Sequence, residues 1–466
     1  MAFSLPPCAN FEATTMARIA VVGGGISGLA HAYFLKKKFA DATITVFEPG
    51  NPGGNIATQV HEGATLEPGP DSYLDRTGLF NHMMRDLGLQ SEVLFEDKKS
   101  AKRFVLKDGY LVAAPKSPGG LITTSLLFFP EKIKIFLAMR KKFSLWPTIT
   151  LFDAARNVLG FSAAEYLASP MARGIFGSEA EDLEFSSIFP ELFRKITESA
   201  KLKTAIKEYS NEKRSFWQKE LNEIQFERGI YSLKGGLITW TNALVAKLRD
   251  LGVEIVKDKI ARINRDAGQK LMLSSKAKPY EAFDEVVFAV GSEDLAYIWR
   301  DHDKDLSRKL GELKYSPINV VYAAWNKKEF SPGGYGFLVP RKERAAILGT
   351  IFASNVFPGR APANQFLTKT MISGDSDLFK DNELSDLAEE SLGRILKLKA
   401  KPLWSKVFRH NPGIPRYAPG YGEWKKEVQT LLEKHRGVRF AGWAFSGIGL
   451  ADQVESAYLH AKARAP

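Results

Sequence analysis

Three glycines and one acidic residue supply the first recognisable chemistry in this sequence. Gly23, Gly25 and Gly28 follow the apolar run at 18–22 and precede apolar residues at helical spacing. In that order they permit a tight turn, a close approach of backbone to a pyrophosphate, and close packing of helix on strand. Glu48 lies twenty residues after Gly28, where a carboxylate can bind ribose hydroxyls and disfavours a 2′-phosphate. The pattern predicts a dinucleotide site that does not take NADP.

Further loops contain glycine at positions where the absence of a side chain would let the backbone approach a ligand closely. Gly53 and Gly54 follow the second predicted strand, and Glu67-Pro-Gly-Pro-Asp-Ser72 comes shortly afterwards. Near the C-terminus, Ser446-Gly-Ile-Gly449 precedes a predicted helix, whose positive end would point at a second part of a long cofactor. Because glycine loops open helices at opposite ends of the chain, the sequence favours FAD over NAD.

Composition excludes several classes of protein. The chain has 466 residues, of which 44% are hydrophobic and 25% charged, and this suits two or three packed units. Its one cysteine, Cys8, and its seven histidines show no disulfide or metal-ligand spacing, so we expect no metal site. A borrowed organic cofactor must therefore carry the chemistry.

The net charge of +12 predicts an anionic partner. We expect no nucleic-acid binding, because the sequence has neither zinc-finger spacing nor a basic heptad region. It also lacks a signal-peptide pattern and any run of about eighteen apolar residues, so we expect a cytoplasmic protein that does not span a membrane. Met16 stands directly before the first strand, and we treat Met1 to Thr15 as an extension outside the fold.

The elements that must position these residues begin with a parallel βαβ unit over residues 18–47. A mostly helical stretch follows from about Gly160 to Glu227. Runs of β-branched and aromatic residues at 318–325, 335–339 and 346–352 predict a second sheet with antiparallel strands. Later strands of the first unit are expected at 253–256, 284–290 and 438–442, with helices at 237–251 and 451–463. The first unit is therefore predicted to be discontinuous.

The segment at 119–152 mixes large apolar side chains with a basic series. The basic residues are Lys132, Lys134, Arg140, Lys141 and Lys142, and the apolar residues among and just after them include Phe136 and Trp146. This composition is typical of a helix that lies in a membrane interface.

Several sequence motifs resemble those of a known family. They are VVGGGISGLA at 21–30, GPDSYLDR at 69–76, ARGIFGSEAEDL at 172–183, GGLITWTNAL at 235–244, GYGFLVP at 334–340, FASNVFPGRAP at 352–362 and AGWAFSGIGLADQV at 441–454. From about Arg18 to the C-terminal helix, the chain resembles the oxygen-dependent protoporphyrinogen oxidases, flavoproteins of the amine-oxidase superfamily.

The resemblance implies a fold of mixed α/β and α+β class. It comprises a Rossmann-like FAD-binding domain, an antiparallel-sheet substrate domain and a helical domain that associates with a membrane. The boundaries expected from it are 17–98, 229–292 and 407–466 for the FAD-binding domain, 99–118 and 293–406 for the substrate domain, and 119–228 for the helical domain.

The resemblance also implies the activity. Protoporphyrinogen IX would be oxidised to protoporphyrin IX in three two-electron steps, with hydride passing to one non-covalent FAD per chain and O2 reduced to hydrogen peroxide. No side-chain nucleophile is required. A peripheral location on the cytoplasmic membrane is expected, and a homodimer is compatible with the family.

Site residues follow from the same resemblance. Arg103 matches a residue that binds a propionate, which suits the parallel donors of a guanidinium. Arg173, Gly174, Phe337, Leu338 and Phe352 are the other expected substrate contacts. The expected FAD contacts are Gly23, Gly25, Ile26, Ser27, Gly28, Glu48, Gly53, Gly54, Asn55, Gly69, Pro70, Asp71, Ser72, Val256, Ile260, Gly442, Trp443, Gly449 and Leu450. Asn55 and Trp443 depart from the residues usual in the superfamily.

Other functions stay open on the sequence alone. Coproporphyrinogen III, which carries four carboxylates instead of two, is an alternative substrate, and the positive charge would suit it as well as an anionic membrane. An amine oxidase or carotenoid desaturase shares the glycine motif but not GPDSYLDR with FASNVFPGRAP. A flavin-binding protein without turnover would need no substrate pocket.

Overall fold

The computed structural model describes residues 17–221, 228–374 and 378–464. The predicted extension at Met1 to Thr15 lies outside these ranges. Within them the chain builds two large sheets, three small sheets and a group of helices.

A five-stranded parallel sheet forms the first unit. Its strands are β1 (Arg18–Val22), β2 (Thr43–Phe47), β10 (Glu254–Val256), β13 (Glu285–Phe288) and β19 (Val438–Phe440), in the spatial order β10-β2-β1-β13-β19. Every neighbouring pair is parallel. Both faces of the sheet are covered, which explains why β1 is apolar without interruption from Ile19 to Val22. Three separated parts of the chain supply these strands, as predicted.

Helices pack on both faces of this parallel sheet. One face carries α1 (Ile26–Lys38), α2 (Leu79–Asp86), α11 (Ile238–Asp250) and α18 (Leu450–Ala463). The other face carries α12 (Ser292–Trp299), α13 (Lys304–Gly311), α16 (Tyr421–Leu432) and α17 (Trp443–Ser446). The small sheets are the pairs β3 (Gln59–His61) with β4 (Ala64–Leu66) and β11 (Ile260–Arg265) with β12 (Leu271–Ser275), and the trio β5 (Tyr73–Asp75), β6 (Val93–Phe95) and β9 (Gly229–Leu233).

A seven-stranded sheet forms the second unit. Its strands are β7 (Arg103–Lys107), β8 (Tyr110–Ala113), β14 (Tyr315–Asn326), β15 (Gly336–Leu338), β16 (Ile347–Ile351), β17 (Gln365–Ser373) and β18 (Trp404–Pro415), in the order β18-β14-β17-β16-β15-β7-β8. The pairing is antiparallel except that β7 and β15 are parallel. The sheet is therefore mixed, whereas the sequence predicted only antiparallel strands. The helices α14 (Ala353–Val356) and α15 (Asp381–Leu396) belong to this unit.

Short helices make up the third unit. They are α3 (Pro118–Thr123), α4 (Phe129–Ala138), α5 (Leu151–Leu159), α6 (Phe161–Ala163), α7 (Ser169–Phe176), α8 (Phe185–Ile188), α9 (Pro190–Glu198) and α10 (Leu202–Leu221), with a π-helical turn at 164–168 before α7. The predicted interfacial segment at 119–152 is thus several short helices instead of one. No helix within the described ranges is both long and apolar enough to cross a membrane.

Two expected boundaries differ from the packing. The strand β18 runs across the boundary at 406/407, because its hydrogen bonds to β14 continue through Arg409 and Ile414. The helix α12 begins at the boundary at 292/293 and α13 lies after it, yet Leu295 and Trp299 pack against Phe288 of the parallel sheet. In both places the chain passes from one unit to the next at the end of a strand or helix, and the amino-acid composition does not mark that point.

Candidate functional site

A glycine turn joins β1 to α1. Gly23 has a φ of 107°, and its N–H donates to the Phe47 carbonyl at 2.8 Å. A Cβ on Gly28 would lie 1.9 Å from the Gly23 carbonyl oxygen, so only glycine allows this helix to start so close to the strand. In contrast, a Cβ on Gly25 would meet only Gly54, at 3.8 Å. The turn is closed towards the sheet and open on the side of Gly25.

The open side of this turn fits a pyrophosphate. No side chain in the described residues caps the start of α1, where Ile26 and Ser27 form the first turn, and that turn contains no acid. Backbone N–H groups and the positive end of the helix dipole are therefore available to an anion. Gly53 packs beside the turn, with its N–H donating to the Gly24 carbonyl at 2.9 Å.

Glu48 stands at the end of β2, beside the same turn. Its Oε2 accepts from the Gly24 N–H and its Oε1 from the Gly50 N–H, both at 2.8 Å. Its own N–H donates to the Val256 carbonyl at 3.0 Å, so the carboxylate is fixed at the edge of the cradle. Each oxygen keeps lone pairs that a ribose hydroxyl could share. Ile260, in contrast, is buried in the core of the parallel unit.

The loop that begins at Glu67 connects the cradle to the seven-stranded sheet. A Cβ on Gly69 would lie 2.2 Å from the Asn55 carbonyl oxygen, so this loop passes directly over the segment after Gly54. From the other side, Lys369 of β17 donates to the Gly69 carbonyl at 2.6 Å, and Tyr322 of β14 exchanges 3.1 Å hydrogen bonds with the Glu67 backbone. The loop 67–72 thus lies between the two units, with Pro70 half-buried.

Two acids of this loop face two cations of the second unit. Glu67 Oε1 lies 3.4 Å from Arg360 Nη1, and both side chains are at most 5% exposed. Asp71 Oδ2 lies 3.6 Å from Lys369 Nζ, and its Oδ1 accepts from Ser72 at 2.7 Å. Burial raises the pKa of Glu67, although the N–H of Leu237 and the nearby Arg360 act in the opposite direction. Three buried charges and the half-buried Asp71, balanced in sign, therefore hold the loop.

The sequence did not single out three of these four charged residues. Glu67 opens the glycine loop 67–72 and Arg360 stands inside FASNVFPGRAP, but nothing in the sequence pairs them. The sequence contains a weak indication that Lys369 is unusual. It shares a strand face with Leu367 and Met371 and is the only charged residue on that face of β17. A lone charge at an apolar position of a strand is worth noting for that reason.

One face of the seven-stranded sheet carries rows of side chains beside the loop. Strand pairing places Tyr322, Lys369, Ile351, Gly336 and Arg103 in one row under loop 67–72. The next row contains Val320, Met371, Gly349, Leu338 and Val105. This second row is apolar, and we refer to it as the floor of the candidate cleft.

The helix α7 crosses the same face on the far side of the floor. A Cβ on Gly174 would lie 2.3 Å from Leu338 Cδ2, and a Cβ on Gly177 would lie 2.2 Å from Ile318 Cδ1. Ile318 and Tyr322 are four residues apart on β14, so the floor between α7 and the loop is about 13 Å wide. The described residues therefore outline a cleft with Arg173 on one side and Arg103 near the other.

Arg103 stacks on an aromatic ring at the edge of the cleft. Its guanidinium lies 4.4 Å from the centroid of Tyr335, and its Nη2 donates to Glu96 at 3.1 Å. The ring is buried close to Ser72 and Asp71, and burial raises the pKa of Tyr335 far above its usual value. The arginine is thus oriented by a fixed ring beside loop 67–72.

Arg173 is more deeply buried than Arg103. Its side chain is 11% exposed and forms an ion pair with Glu179. Burial raises the pKa of Glu179, even though the adjacent Arg173 lowers it. Within the described residues, Arg173 Nε, Glu179 Oε2 and Glu181 Oε2 are buried and have no hydrogen-bond partner.

Phe337 and Phe352 do not reach this cleft. Alternation along β15 turns Phe337 to the opposite face from Leu338, where it lies 6.1 Å from Phe352 and both pack in the core beneath α15. Of the expected apolar substrate contacts, only Leu338 is on the cleft side. Val320 and Met371 continue the apolar floor, whereas Val105 is buried against Leu126 and Tyr166 of the helical unit.

The C-terminal glycine loop returns to the parallel sheet. Gly442 has a φ of 98°, follows β19, and is succeeded by Trp443, the first residue of α17. Gly449 precedes α18, but its N–H donates to Asp452 Oδ2 at 3.1 Å and that acid sits in the first turn. Leu450 is buried. The positive end of α18 is thus partly neutralised by its own chain, unlike that of α1.

Within the described ranges, no group of three histidine, cysteine or acidic side chains is arranged to hold a metal ion. The polar groups near the cleft are arginines, a lysine and carboxylates in pairs. This donor set suits an organic cofactor and an organic acid.

Comparison with known proteins adds independent observations. A family model described as flavin containing amine oxidoreductase matches residues 26–465. A mitochondrial protoporphyrinogen oxidase of Nicotiana tabacum is 26% identical over 97% of this chain and 95% of its own length. A coproporphyrinogen III oxidase of Staphylococcus aureus (strain NCTC 8325 / PS 47) is 24% identical over 94% of this chain and 96% of its own length.

Solved structures share the fold. A crystal structure from Exiguobacterium sp. 255-15 superposes with a TM-score of 0.77 at 24% identity, covering 96% of this chain and 98% of that one. Cyclohexylamine oxidase from Brevibacterium oxydans IH-35A superposes with a TM-score of 0.64 at 14% identity, with coverage of 96% and 98%. At these identities the structures establish the architecture alone.

Proposed function

The chain belongs to the flavin containing amine oxidoreductase family, and from that premise we propose that it oxidises protoporphyrinogen IX to protoporphyrin IX in haem biosynthesis. The observation that carries the proposal is a dinucleotide cradle joined by loop 67–72 to an apolar cleft between Arg103 and Arg173. Relatives named for porphyrinogen oxidation match the chain along nearly its whole length, which supports this substrate class.

Family membership implies a flavin, and we propose one non-covalent FAD per chain. The start of α1 and the turn at Gly25 would bind the pyrophosphate, with Gly53, Gly54 and Asn55 beside it. Glu48 would bind the ribose and Val256 would lie near the adenine. Gly69 to Ser72, Gly442, Trp443, Gly449 and Leu450 would surround the remainder. Ile260 would contribute through the core beneath the adenine.

A bound flavin would supply a two-electron acceptor for each of the three oxidations, with O2 as the final acceptor and hydrogen peroxide as the product. This chain's own residues bind and orient the substrate. Arg103 and Arg173 are placed to bind carboxylates, because a guanidinium offers parallel donors at a fixed angle. The apolar floor around Leu338 would hold the macrocycle and exclude water.

A second substrate deserves a parallel assay, because one of the relatives is named for coproporphyrinogen III oxidation. The first test gives FAD-loaded protein each porphyrinogen in air and follows porphyrin fluorescence and peroxide, with a no-enzyme control for autoxidation. We expect oxidation of protoporphyrinogen and, without oxygen, bleaching of the flavin absorbance. Preference for coproporphyrinogen III would show that this compound, and not protoporphyrinogen IX, is the substrate. Oxidation of neither compound would refute the proposal.

We further propose that the protein binds the surface of the cytoplasmic membrane through an aromatic patch made of Phe128, Phe129, Ile133, Phe136 and Leu137. All five are exposed, while Ile135 and Ala138 on the other side of α4 are buried. Lys134, Arg140, Lys141 and Lys142 lie beside or just after them. An exposed apolar stripe flanked by cations fits an anionic membrane interface.

A further inference from the structure

Both arginines of the cleft form ion pairs with acidic residues of the same chain. Arg173 is paired with Glu179, and Arg103 with Glu96 at 3.1 Å. The acids come from different units, since Glu179 follows α7 and Glu96 follows β6. Each guanidinium is therefore largely neutralised before any ligand arrives.

The pair at Arg173 is more than a local surface contact. Glu179 Oε2 is buried and has no hydrogen-bond partner in the described structure, and the same is true of Arg173 Nε. Gly174, the next residue of α7, packs closely against Leu338 at the edge of the cleft floor. Glu181 adds a second buried oxygen and lies 3.7 Å from Arg341, which is exposed.

We propose that Glu179 and Glu96 make the cleft selective for the porphyrinogen with fewer carboxylates. The inference rests on the proposed function and deepens it. A substrate carboxylate that approaches Arg173 also approaches the charge of Glu179, so each additional carboxylate meets repulsion and a shared guanidinium. Two carboxylates can be divided between Arg103 and Arg173, whereas four carboxylates outnumber these two guanidiniums.

The selectivity should depend more on Glu179 than on Glu96. Arg173 is 11% exposed, whereas Arg103 is 43% exposed, and solvent screens charges near Arg103 more strongly. Glu179→Gln keeps the shape of the side chain and one hydrogen-bond acceptor while it frees the guanidinium. Glu96→Gln is an independent variant at the second pair.

The experiment is an internal competition. FAD-loaded protein receives protoporphyrinogen IX and coproporphyrinogen III in the same reaction, and the two porphyrin products are separated by chromatography. The product ratio gives the ratio of the two kcat/KM values and does not depend on how much of each variant is active. Glu191→Gln serves as the control, because Glu191 pairs with Arg194 at 2.9 Å on the surface of α9.

We expect the wild type and Glu191→Gln to prefer protoporphyrinogen equally. Glu179→Gln should shift the ratio about tenfold towards coproporphyrinogen, and Glu96→Gln in the same direction by about threefold. An unchanged ratio in both variants, or a wild-type preference for coproporphyrinogen, would overturn the inference and leave porphyrinogen oxidation standing. Oxidation of neither substrate by the wild type would instead overturn the proposed function on which the inference rests.

Discussion

Gly28 shows how one residue type can decide whether the cradle forms. Its α-carbon is so close to the strand that an added Cβ would overlap the Gly23 carbonyl oxygen at 1.9 Å. Because the obstacle is backbone, no side-chain rotation can relieve it. The turn at Gly23 and the start of α1 would have to move apart, and the open side at Gly25 would lose its shape.

We therefore expect Gly28→Ala to be purified without bound flavin, or with much less of it. The matched control is Gly393→Ala in α15, where the added Cβ would come no closer than 3.5 Å to the Leu398 carbonyl oxygen. Alanine there should be neutral or stabilise by about 0.5–1 kcal/mol. Visible absorbance per protein chain is the measurement, and full flavin content in Gly28→Ala would contradict the role of the turn.

At the scale of elements, the buried charges of loop 67–72 join the two units. Arg360 also donates to Ser232 Oγ at 2.5 Å and to the Leu233 carbonyl at 3.2 Å, so it connects the loop to the end of β9. Removing one partner of a buried pair leaves an uncompensated charge and typically costs about 3–5 kcal/mol.

We expect Arg360→Met to lower the free energy of unfolding by that amount, and the double variant Glu67→Gln with Arg360→Met to recover part of the loss. The measurement is thermal or urea unfolding of the three proteins. Equal losses in the single and double variants would show that Glu67 does not interact with Arg360.

Two histidines, His31 and His460, are buried in the contact between α1 and α18. His31 Nδ1 donates to the Ser27 carbonyl at 2.7 Å, and the rings of His31 and His460 are 5.4 Å apart. Burial lowers the pKa of both histidines well below the usual value, with the nearby Arg439 acting in the same direction. Below about pH 6.5 the unfolded chain therefore binds protons that the folded chain does not.

Stability should consequently fall as the pH drops below about 6.5, by up to about 1.4 kcal/mol per pH unit for each such histidine. His31→Asn keeps a donor for Ser27 but cannot titrate, so its Tm should fall less steeply between pH 7 and 5.5. Identical slopes in His31→Asn and the wild type would mean that His31 is protonated in the folded state.

At the scale of the whole molecule, the cleft and the aromatic patch lie on connected parts of the helical unit. The patch is on α4, and the π-helical turn before α7 packs against α5, which in turn contacts α4. A membrane-bound patch would therefore support the helices that carry Arg173.

Replacing Phe129 and Phe136 by serine should weaken binding to anionic liposomes by at least about tenfold, because each buried phenylalanine contributes about 1.5–3 kcal/mol. Flotation through a density gradient measures the bound fraction. Phe379→Ser is the control, since Phe379 is also exposed but lies before α15. Equal flotation of the double variant and the wild type would exclude the patch as the docking surface.

The sequence by itself determined the elements whose patterns are local. The glycine turn, Glu48 and the βαβ unit depend on neighbours within about thirty residues, and the strands at 284–290 and 438–442 show as short buried runs. Only the tertiary structure decided which side chains share the cleft. Register and strand alternation turned Phe337 and Phe352 away from it and brought in Lys369, and the pairs Glu67–Arg360 and Arg173–Glu179 needed three-dimensional contact. A shift of one residue along a strand reverses its face, and local composition cannot fix that choice.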